Sequence, residues 1–372
     1  MTADGRIGVA FVIVRLGRGG AEGVLVSLAN GLDAERFASH VIAIRDAGEL
    51  AGELADHVAV HTLDRRRPWD VGSFLRFRAI LRRSGIDIVH THSHMAAYFV
   101  RIARALGGSR WVHVLHEHFP LIAQSRLRWV DRLCLSRVDY CFAASPQLTD
   151  YARRWVGIRP DRCETLTNGT DARVVAVRPK PDAFTVVQVG RVAPQKDQLI
   201  ALAVAARLRD ELPSLRWLVV GEADSAYGRR CRETARAIGL DGVVRFVGER
   251  ADVHEILAGA HVGVSTSRAE AAGPLALLEY MAAGLPVVMM SAGDADELVR
   301  ASGGGRVVRP GDVEGFVEAL RAYVADPPAA ARAGATNRRY VHRNHGVQAM
   351  VSRVAEVYAD LLATGGVERA LR

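Results

Sequence analysis

The chain has 372 residues, which is too long for one compact core and suits two domains. Its composition, 49% hydrophobic and 24% charged, is ordinary for a folded protein and argues against disorder, and no uninterrupted apolar run of about eighteen residues predicts a membrane span. A formal net charge of +8 leaves an anionic membrane surface or nucleic acid open as partners.

The first half of the chain alternates apolar strands with helices. The run 7–14 is almost continuously apolar, as a parallel strand buried on both faces requires. Further strands are predicted at 40–45, 58–63, 86–90, 110–115 and 140–144. Helices are predicted after the loop 15–22 as far as about residue 30, at 71–84 and at 96–106. This alternation predicts a doubly wound α/β domain over residues 1–175.

A turn at 168–171 and a proline-containing segment at 178–181 indicate a linker, after which the pattern restarts. Strands are predicted at 184–189, 216–220, 243–247, 261–264 and 286–290, with a helix at 198–208. A second Rossmann-like domain is therefore expected over 176–345. The segment 346–372 is predicted to contain a helix near 348–362; its periodicity does not place it, and packing back on the N-terminal domain is open to it.

A glycine-rich loop follows the first predicted strand. Gly17, Gly19 and Gly20 would let the backbone approach a phosphate before a helix N-terminus. The spacing departs from the dinucleotide pattern G-x-G-x-x-G, because Glu22 and Gly23 stand where that pattern has its last glycine. Alone, this loop indicates an anion site only weakly.

A second loop, after the strand at 184–189, carries two cations. Arg191 and Lys196 suit a diphosphate, since a guanidinium binds two oxygens at once and an ammonium adds a point charge beside it. The chain has only two lysines, Lys180 and Lys196, and otherwise uses arginine for positive charge. A diphosphate site is the favoured interpretation, and a structural salt bridge stays open.

Two acids lie in the apolar stretch 265–288. Glu270 precedes a Gly-Pro turn, and Glu279 lies in an apolar helix that is expected to end at Gly284. An acid in such surroundings is costly without a partner, which suggests a ligand site. The alternative is that Glu270 caps the helix and Glu279 is a partly exposed helix residue.

Six histidines alternate near two predicted strand ends: His90, His92, His94, His113, His116 and His118. Such imidazoles could bind a transition metal, which makes a metal-dependent hydrolase a rival function. No carboxylate-rich ligand set accompanies them, so a metal is not the favoured prediction. The four cysteines are scattered without C-x-x-C spacing, which favours reduced thiols in a cytoplasm.

Two basic amphipathic stretches, 74–83 and 125–137, could lie on an anionic membrane surface, or they could be ordinary solvated helix faces. The sequence has no helix-turn-helix, zinc-finger or RNP-like pattern, so nucleic acid is not expected as a partner.

Several motifs together resemble glycosyltransferase family 4, over essentially the whole chain. They are Gly19-Gly20-Ala21-Glu22 with Leu28-Ala29-Asn30, Asp87-Ile88-Val89-His90-Thr91-His92, Val114-Leu115-His116-Glu117, Thr167-Asn168-Gly169-Thr170-Asp171, Val189-Gly190-Arg191 with Gln195-Lys196, and Val247-Gly248. The family comprises retaining nucleotide-sugar enzymes of GT-B fold. The resemblance therefore implies two Rossmann-like, doubly wound domains that face a central cleft.

The resemblance also implies roles for residues of the second domain. Arg191 and Lys196 would neutralise the donor diphosphate and the charge that grows on it as the glycosidic bond breaks. Glu279 would bind the ribose hydroxyls and Glu270 those of the donor sugar. The nucleotide base would rest on backbone near Val247.

In the first domain, the resemblance implies that Gly19 and Gly20 approach the donor phosphates and that His116 contacts the donor sugar near its anomeric carbon. No metal and no cofactor is implied, because the two cations take over that role. The D-x-D at Asp294–Asp296 is accordingly expected to begin a helix.

One feature departs from the family pattern. Eight residues separate Glu270 from Glu279, whereas the family has seven, and strict spacing would select Ala271. The flanking residues 265–268 favour Glu270 with one inserted residue at 271–273. An altered donor preference is therefore a hypothesis for this chain.

The resemblance implies a retaining transfer, by front-face attack, from a UDP- or GDP-linked sugar to an acceptor hydroxyl, in the synthesis of cell-surface polysaccharide, glycolipid or glycoconjugate. The acceptor would be a saccharide, a lipid-linked saccharide or a small molecule. The enzyme is expected in the cytoplasm, with the inner face of the plasma membrane as a possible peripheral site. A nucleotide-sugar epimerase of the same fold is the alternative, followed by the metal-dependent hydrolase.

Overall fold

The structure is a computed structural model of the chain that describes residues 2, 5–67, 69–106, 111–118, 128–170, 180–270 and 273–370. The chain divides into two compact units, one of residues 1–168 and 347–372 and the other of residues 169–346. The expected boundary at 175–176 lies outside the described residues. Among the described residues, no helix combines the length and the hydrophobicity needed to cross a bilayer.

The first unit contains a parallel sheet of seven strands in the order β3-β2-β1-β4-β5-β6-β7. The strands are β1 Ile7–Ile13, β2 Phe37–Ala43, β3 Ala59–Thr62, β4 Ile86–His92, β5 Val112–Glu117, β6 Tyr140–Ala143 and β7 Cys163–Thr165. Strand order reverses between β1 and β4, and ligands of such sheets bind at the carboxyl ends of the strands beside a reversal of this kind.

Helices cover this sheet: α1 Gly20–Gly31, α2 Val71–Arg83, α3 His94–Ala105, α4 Arg128–Leu135, α5 Pro146–Tyr151 and α13 Val347–Ala370. Polar N-caps fix where two of them begin, since Asp70 accepts a hydrogen bond from the Ser73 amide and Ser93 accepts one from the Ala96 amide. The last helix packs on α1, where a Cβ at Gly31 would come within 2.8 Å of Val351.

The second unit contains a parallel sheet of six strands in the order β10-β9-β8-β11-β12-β13. Its strands are β8 Thr185–Val189, β9 Arg216–Val220, β10 Val244–Gly248, β11 Val262–Ser265, β12 Val287–Met290 and β13 Gly305–Val308. Its helices are α6 Gln198–Leu208, α7 Ala226–Ala237, α8 Val253–Ala258, α9 Leu275–Ala282, α10 Ala295–Ser302, α11 Val313–Ala325 and α12 Pro327–Asn344. The order reverses between β8 and β11.

Apolar side chains pack against the sheets of both units, and a central strand such as β1 is accordingly buried and apolar over almost its whole length. In the second unit, one core surrounds Trp217 and Phe316 and the other surrounds Tyr280 and Met281, all fully buried. The predicted doubly wound α/β fold is thus confirmed in both units.

Most predicted elements agree with the structure to within a few residues. The helix expected at 96–106 begins at His94, because Ser93 caps it two residues earlier. The last helix continues to Ala370, well beyond residue 362. Part of the basic stretch 125–137 and part of the linker 178–181 lie outside the described residues.

Candidate functional site

The loop between β8 and α6 turns sharply at Gly190, whose φ is +143°. The neighbouring strand end approaches so closely that a Cβ at Gly221 would lie 2.3 Å from the Gly190 carbonyl oxygen. Backbone conformation therefore requires glycine at position 190, and both conformation, with a φ of +143°, and lack of space require it at position 221. The loop places Lys196 two residues before α6 begins, at the point where strand order reverses.

Lys196 is ion-paired with Glu270. Its Nζ contacts Oε1 of the carboxylate, and the two side chains are 26% and 10% exposed. The acid is also held by its backbone, because its amide donates to the Ala292 carbonyl oxygen at 2.7 Å. The structural salt bridge that was the alternative interpretation of Lys196 is thus present. Its partner is Glu270, the acid that was expected to bind the donor sugar.

Further hydrogen bonds join the loop after β8 to the loop after β11. Thr266 Oγ1 donates to the Lys196 carbonyl oxygen at 2.8 Å, and Gln188 Nε2 donates to Thr266 Oγ1 at 2.8 Å. Arg268 Nε donates to Asp197 Oδ2 at 2.8 Å. These four positioning residues were missed by the sequence reasoning, although the polar run 265–268 directly after an apolar strand was a signal for them.

A small pocket opens beside the ion pair. Its lining includes Gln188, Lys196, Ser265, Ser267, Glu270 and Tyr280. Arg191 lies on the same loop with an exposed side chain. The structure therefore brings Lys196 and Glu270 together, and within the described ranges the exposed Arg191 guanidinium has no partner that would keep it from a ligand.

The prediction that Glu270 caps a helix is wrong. α9 begins at Leu275 with Pro274 as its N-cap, and Glu270 lies earlier, in an isolated parallel bridge with Gly293. Its position is set by pairing with the chain after β12 and by the ion pair, so helix formation does not explain this acid.

Glu279 lies on α9, as predicted, and is partly buried. Among the described residues, its carboxyl group makes no hydrogen bond or ion pair. Burial raises the pKa of this carboxyl from 4.5 to about 7, because a charge surrounded by protein atoms loses hydration. An acid placed this way costs stability, which a ligand with hydroxyl donors would recover.

Val247 lies in β10, two strands away from β8. The register between β10 and β9 shifts between Phe246 and Gly248, and Gly248 has a φ of +72°. The strand end expected to hold a nucleotide base is therefore irregular, with peptide groups outside the regular ladder.

In the first unit, Gly19 is the N-cap of α1, and a Cβ built at Gly19 would lie 2.3 Å from Glu22 Oε2. A Cβ at Gly20 would meet nothing within 4 Å. Both glycines are exposed, and the Glu22 carboxylate already lies at this helix N-terminus, which favours an anion.

His116 is fully buried at the end of β5, where it pairs in register with His92 of β4. His90, two residues earlier on β4, and His118 belong to the same group of rings, and the His118 ring lies 4.1 Å from that of His116. Burial lowers the pKa of His90, His92 and His116 well below 6.5 and that of His118 to about 3, so these imidazoles are neutral.

The other two predicted histidines lie elsewhere. His94 Nδ1 forms a buried ion pair with Glu117 Oε2 at 2.9 Å. Burial by itself would lower the pKa of His94, but the charge and hydrogen bond of Glu117, together with the charge of Asp131, outweigh burial and raise this pKa. His113 Nε2 is 3.1 Å from Thr91 Oγ1. The six histidines thus separate into a cluster of four and two individually bonded residues.

The D-x-D sequence has a structural role, as expected. Asp296 accepts hydrogen bonds from Ser291 Oγ at 2.6 Å and from the Ala292 amide at 2.8 Å, in the first turn of α10.

Two family models match the chain: Glycosyltransferase Family 4 over residues 18–174 and Glycosyl transferases group 1 over residues 183–326. An Escherichia coli enzyme named UDP-Gal:alpha-D-GlcNAc-diphosphoundecaprenol alpha-1,3-galactosyltransferase is 23% identical over 88% of this chain and 90% of its own length. D-inositol 3-phosphate glycosyltransferase of Kribbella flavida is 27% identical over 67% of each chain.

Among solved structures, Anabaena HepE in complex with UDP-glucose is similar with a TM-score of 0.82 at 22% identity, over 95% of this chain and 100% of that chain. This likeness concerns the fold, which is GT-B, as the sequence predicts.

Proposed function

We infer that this chain, which belongs to glycosyltransferase family 4, transfers a sugar from a nucleoside diphosphate to an acceptor hydroxyl with retention at the anomeric carbon. UDP is the expected nucleotide, since the E. coli relative is named for UDP-Gal and the HepE structure contains UDP-glucose. A GDP-linked donor is the alternative that a binding test must distinguish.

The Lys196–Glu270 pair carries this proposal. Each charge neutralises the other in the ligand-free chain, so neither is left buried without a partner. A nucleotide-sugar donor could give each of the two side chains a new partner. Its diphosphate would bind the Lys196 ammonium, and its sugar hydroxyls would donate hydrogen bonds to the Glu270 carboxylate. With Arg191 on the same loop, two cations can stabilise the negative charge that develops on the leaving diphosphate. We therefore propose that transfer requires no metal.

The remaining assignments concern the same nucleotide-sugar donor. Glu279 would accept hydrogen bonds from the ribose hydroxyls, and the backbone at Val247 would hold the base. Gly19 and Gly20 would contact the phosphates, whereas His116, which is fully buried, would reach the donor sugar only after movement of the residues that cover it. We propose front-face attack with the leaving diphosphate as base.

Thermal stability against UDP, GDP, ADP and NAD tests the donor site, because a ligand that binds only the native state raises Tm. Lys196→Ala should abolish the shift. The matched control is Lys180→Ala, which removes the other lysine, whose Nζ donates to the Ala258 carbonyl oxygen. A shift with NAD alone, or the same UDP shift in Lys196→Ala, would refute the assignment.

Acceptor dependence separates transfer from epimerisation. An epimerase would convert the donor sugar without any acceptor, whereas a transferase releases UDP in proportion to a glycosylated product. The anomeric configuration of that product, read by NMR, tests retention.

The helix α2 supports a lipid-linked acceptor at an anionic membrane surface. Its solvent face presents Val71, Leu75 and Arg82, and Trp69 just before it is 73% exposed. Apolar and cationic side chains on one helix face are typical of interfacial binding. Co-sedimentation with vesicles containing phosphatidylglycerol should fall for Leu75→Asp, and equal binding by wild type and variant would argue for a soluble acceptor.

A further inference from the structure

Three imidazoles converge where β4 and β5 end in the first unit. His92 and His116 are register partners on these adjacent strands, and His90 lies two residues earlier on β4, so the three side chains share one face of the sheet. A ring nitrogen from each lies within 4.8 Å of one from each of the others. All three side chains have no exposed surface.

The hydrogen bonds of these rings leave several ring nitrogens of the cluster without a partner among the described residues. His90 Nδ1 is 2.5 Å from the Tyr358 hydroxyl, and His92 Nδ1 is 2.9 Å from His118 Nε2. Within the described part of the chain, Nε2 of His90, Nε2 of His92 and both nitrogens of His116 have no hydrogen-bond partner. Holding one ring nitrogen while the other faces a shared point is how proteins orient histidine ligands.

Apolar rings enclose the cluster. The ring centroid of Phe11 lies 5.6 Å from that of His90 and 6.1 Å from that of His92. The ring centroid of Phe142 lies 5.8 Å from that of His116. Buried nitrogen atoms in such surroundings are costly when unpaired. A set of neutral nitrogen ligands suits zinc and its neighbours in the transition series, whereas magnesium and calcium prefer oxygen.

We propose that His90, His92 and His116 bind one divalent transition metal of the zinc class. Nitrogen ligands of tetrahedral zinc lie about 3.3 Å apart, so the three nitrogens must move closer, which rotation of the rings can supply. Three protein ligands leave one coordination position for water or another small ligand.

The test measures Zn²⁺ binding by the full-length protein after treatment with a chelator, in competition with a chromophoric zinc indicator. We expect one tightly bound equivalent, and at least about 100-fold weaker binding by His90→Gln, which loses one of three ligands. The matched control is His61→Gln in the same unit. His61 Nε2 lies 3.1 Å from His40 Nδ1, so this variant removes a pair that could bind zinc adventitiously.

A second measurement on the wild type guards against a variant that fails to fold. Co²⁺ in place of zinc should give a visible absorption band of a four-coordinate nitrogen site, and Zn²⁺ should raise Tm of the chelator-treated protein. Absence of both effects would refute the site, as would loss of binding in His61→Gln with binding intact in folded His90→Gln. No nucleotide is present in these experiments, so their failure would leave the UDP-binding proposal untouched.

Discussion

Glu279 provides the sharpest test of the donor site, because its ionisation links stability to pH. The pKa of its carboxyl is about 7 in the folded chain against an ordinary value of 4.5. A raised folded pKa means that stability is complete below about pH 4.5 and is lost as the pH rises through about 7. At about pH 8 the loss amounts to at most about 3 kcal/mol, since one pKa unit corresponds to about 1.4 kcal/mol.

Glu279→Gln should remove this dependence. We expect the variant to match the wild type near pH 4.5 and to exceed its stability by up to about 3 kcal/mol at about pH 8. Urea unfolding at each pH measures the difference in free energy of unfolding between the variant and the wild type. Hydrogen exchange of the α9 amides follows the second unit by itself. Glu297→Gln is the matched control, because Glu297 is exposed on the neighbouring helix α10. Parallel pH curves for Glu279→Gln and the wild type would refute the reasoning.

The same carboxyl links pH to ligand binding. Ribose hydroxyls donate to an ionised carboxylate, so UDP should bind the deprotonated form and release up to about one proton at about pH 6. Calorimetry in buffers of different ionisation enthalpy detects this release. Glu279→Gln should release none and bind UDP more weakly; proton release unchanged in the variant would remove Glu279 from the nucleotide site.

Three further changes test other contacts. Glu270→Gln removes the anion beside Lys196, which at this partly exposed site is worth about 1 kcal/mol, so calorimetry should show about five-fold tighter UDP binding while turnover of a donor sugar falls. His94→Asn removes the buried cation beside Glu117 and should cost about 3 kcal/mol in urea unfolding at about pH 5. Because the pKa of His94 is raised, that cost should shrink as the pH rises through the raised value. Gly263→Ala places a Cβ 2.4 Å from the ring of Tyr280 on α9. This crowding should lower the free energy of unfolding of the second unit by about 2 kcal/mol, measured by urea unfolding.

The fold was predictable because its signals are local. Continuous apolar runs such as β1 depend on neighbours within a few residues. Where prediction and structure differ, they differ at element ends, as at α3, whose Ser93 cap the prediction overlooked. The loops that carry Arg191 and Lys196 were predictable for the same reason, since a strand followed by a helix places its connecting loop at the carboxyl edge of the sheet.

The partners of the site residues were not predictable, because they are distant in sequence. Lys196 and Glu270 are separated by 74 residues, and Arg268 and Asp197 by 71. The sequence analysis singled out Lys196 and Glu270 separately and overlooked Asp197 and Arg268. It predicted neither pair, because no local pattern shows which strands become neighbours. The adjacency of β8 and β11 at the reversal of strand order brings these pairs together, and that adjacency belongs to topology.

The same topology explains how the site accommodates one residue more than the family pattern. Glu279 is positioned by α9, whose Leu277, Leu278 and Tyr280 are buried in the core. Glu270 is positioned separately, by its ion pair and by its bridge to Gly293. Because the two acids have independent anchors, an additional residue between them changes the connecting segment and need not move either carboxylate. The proposed donor site therefore rests on two separately anchored acids, and the spacing between them in the sequence does not by itself argue against it.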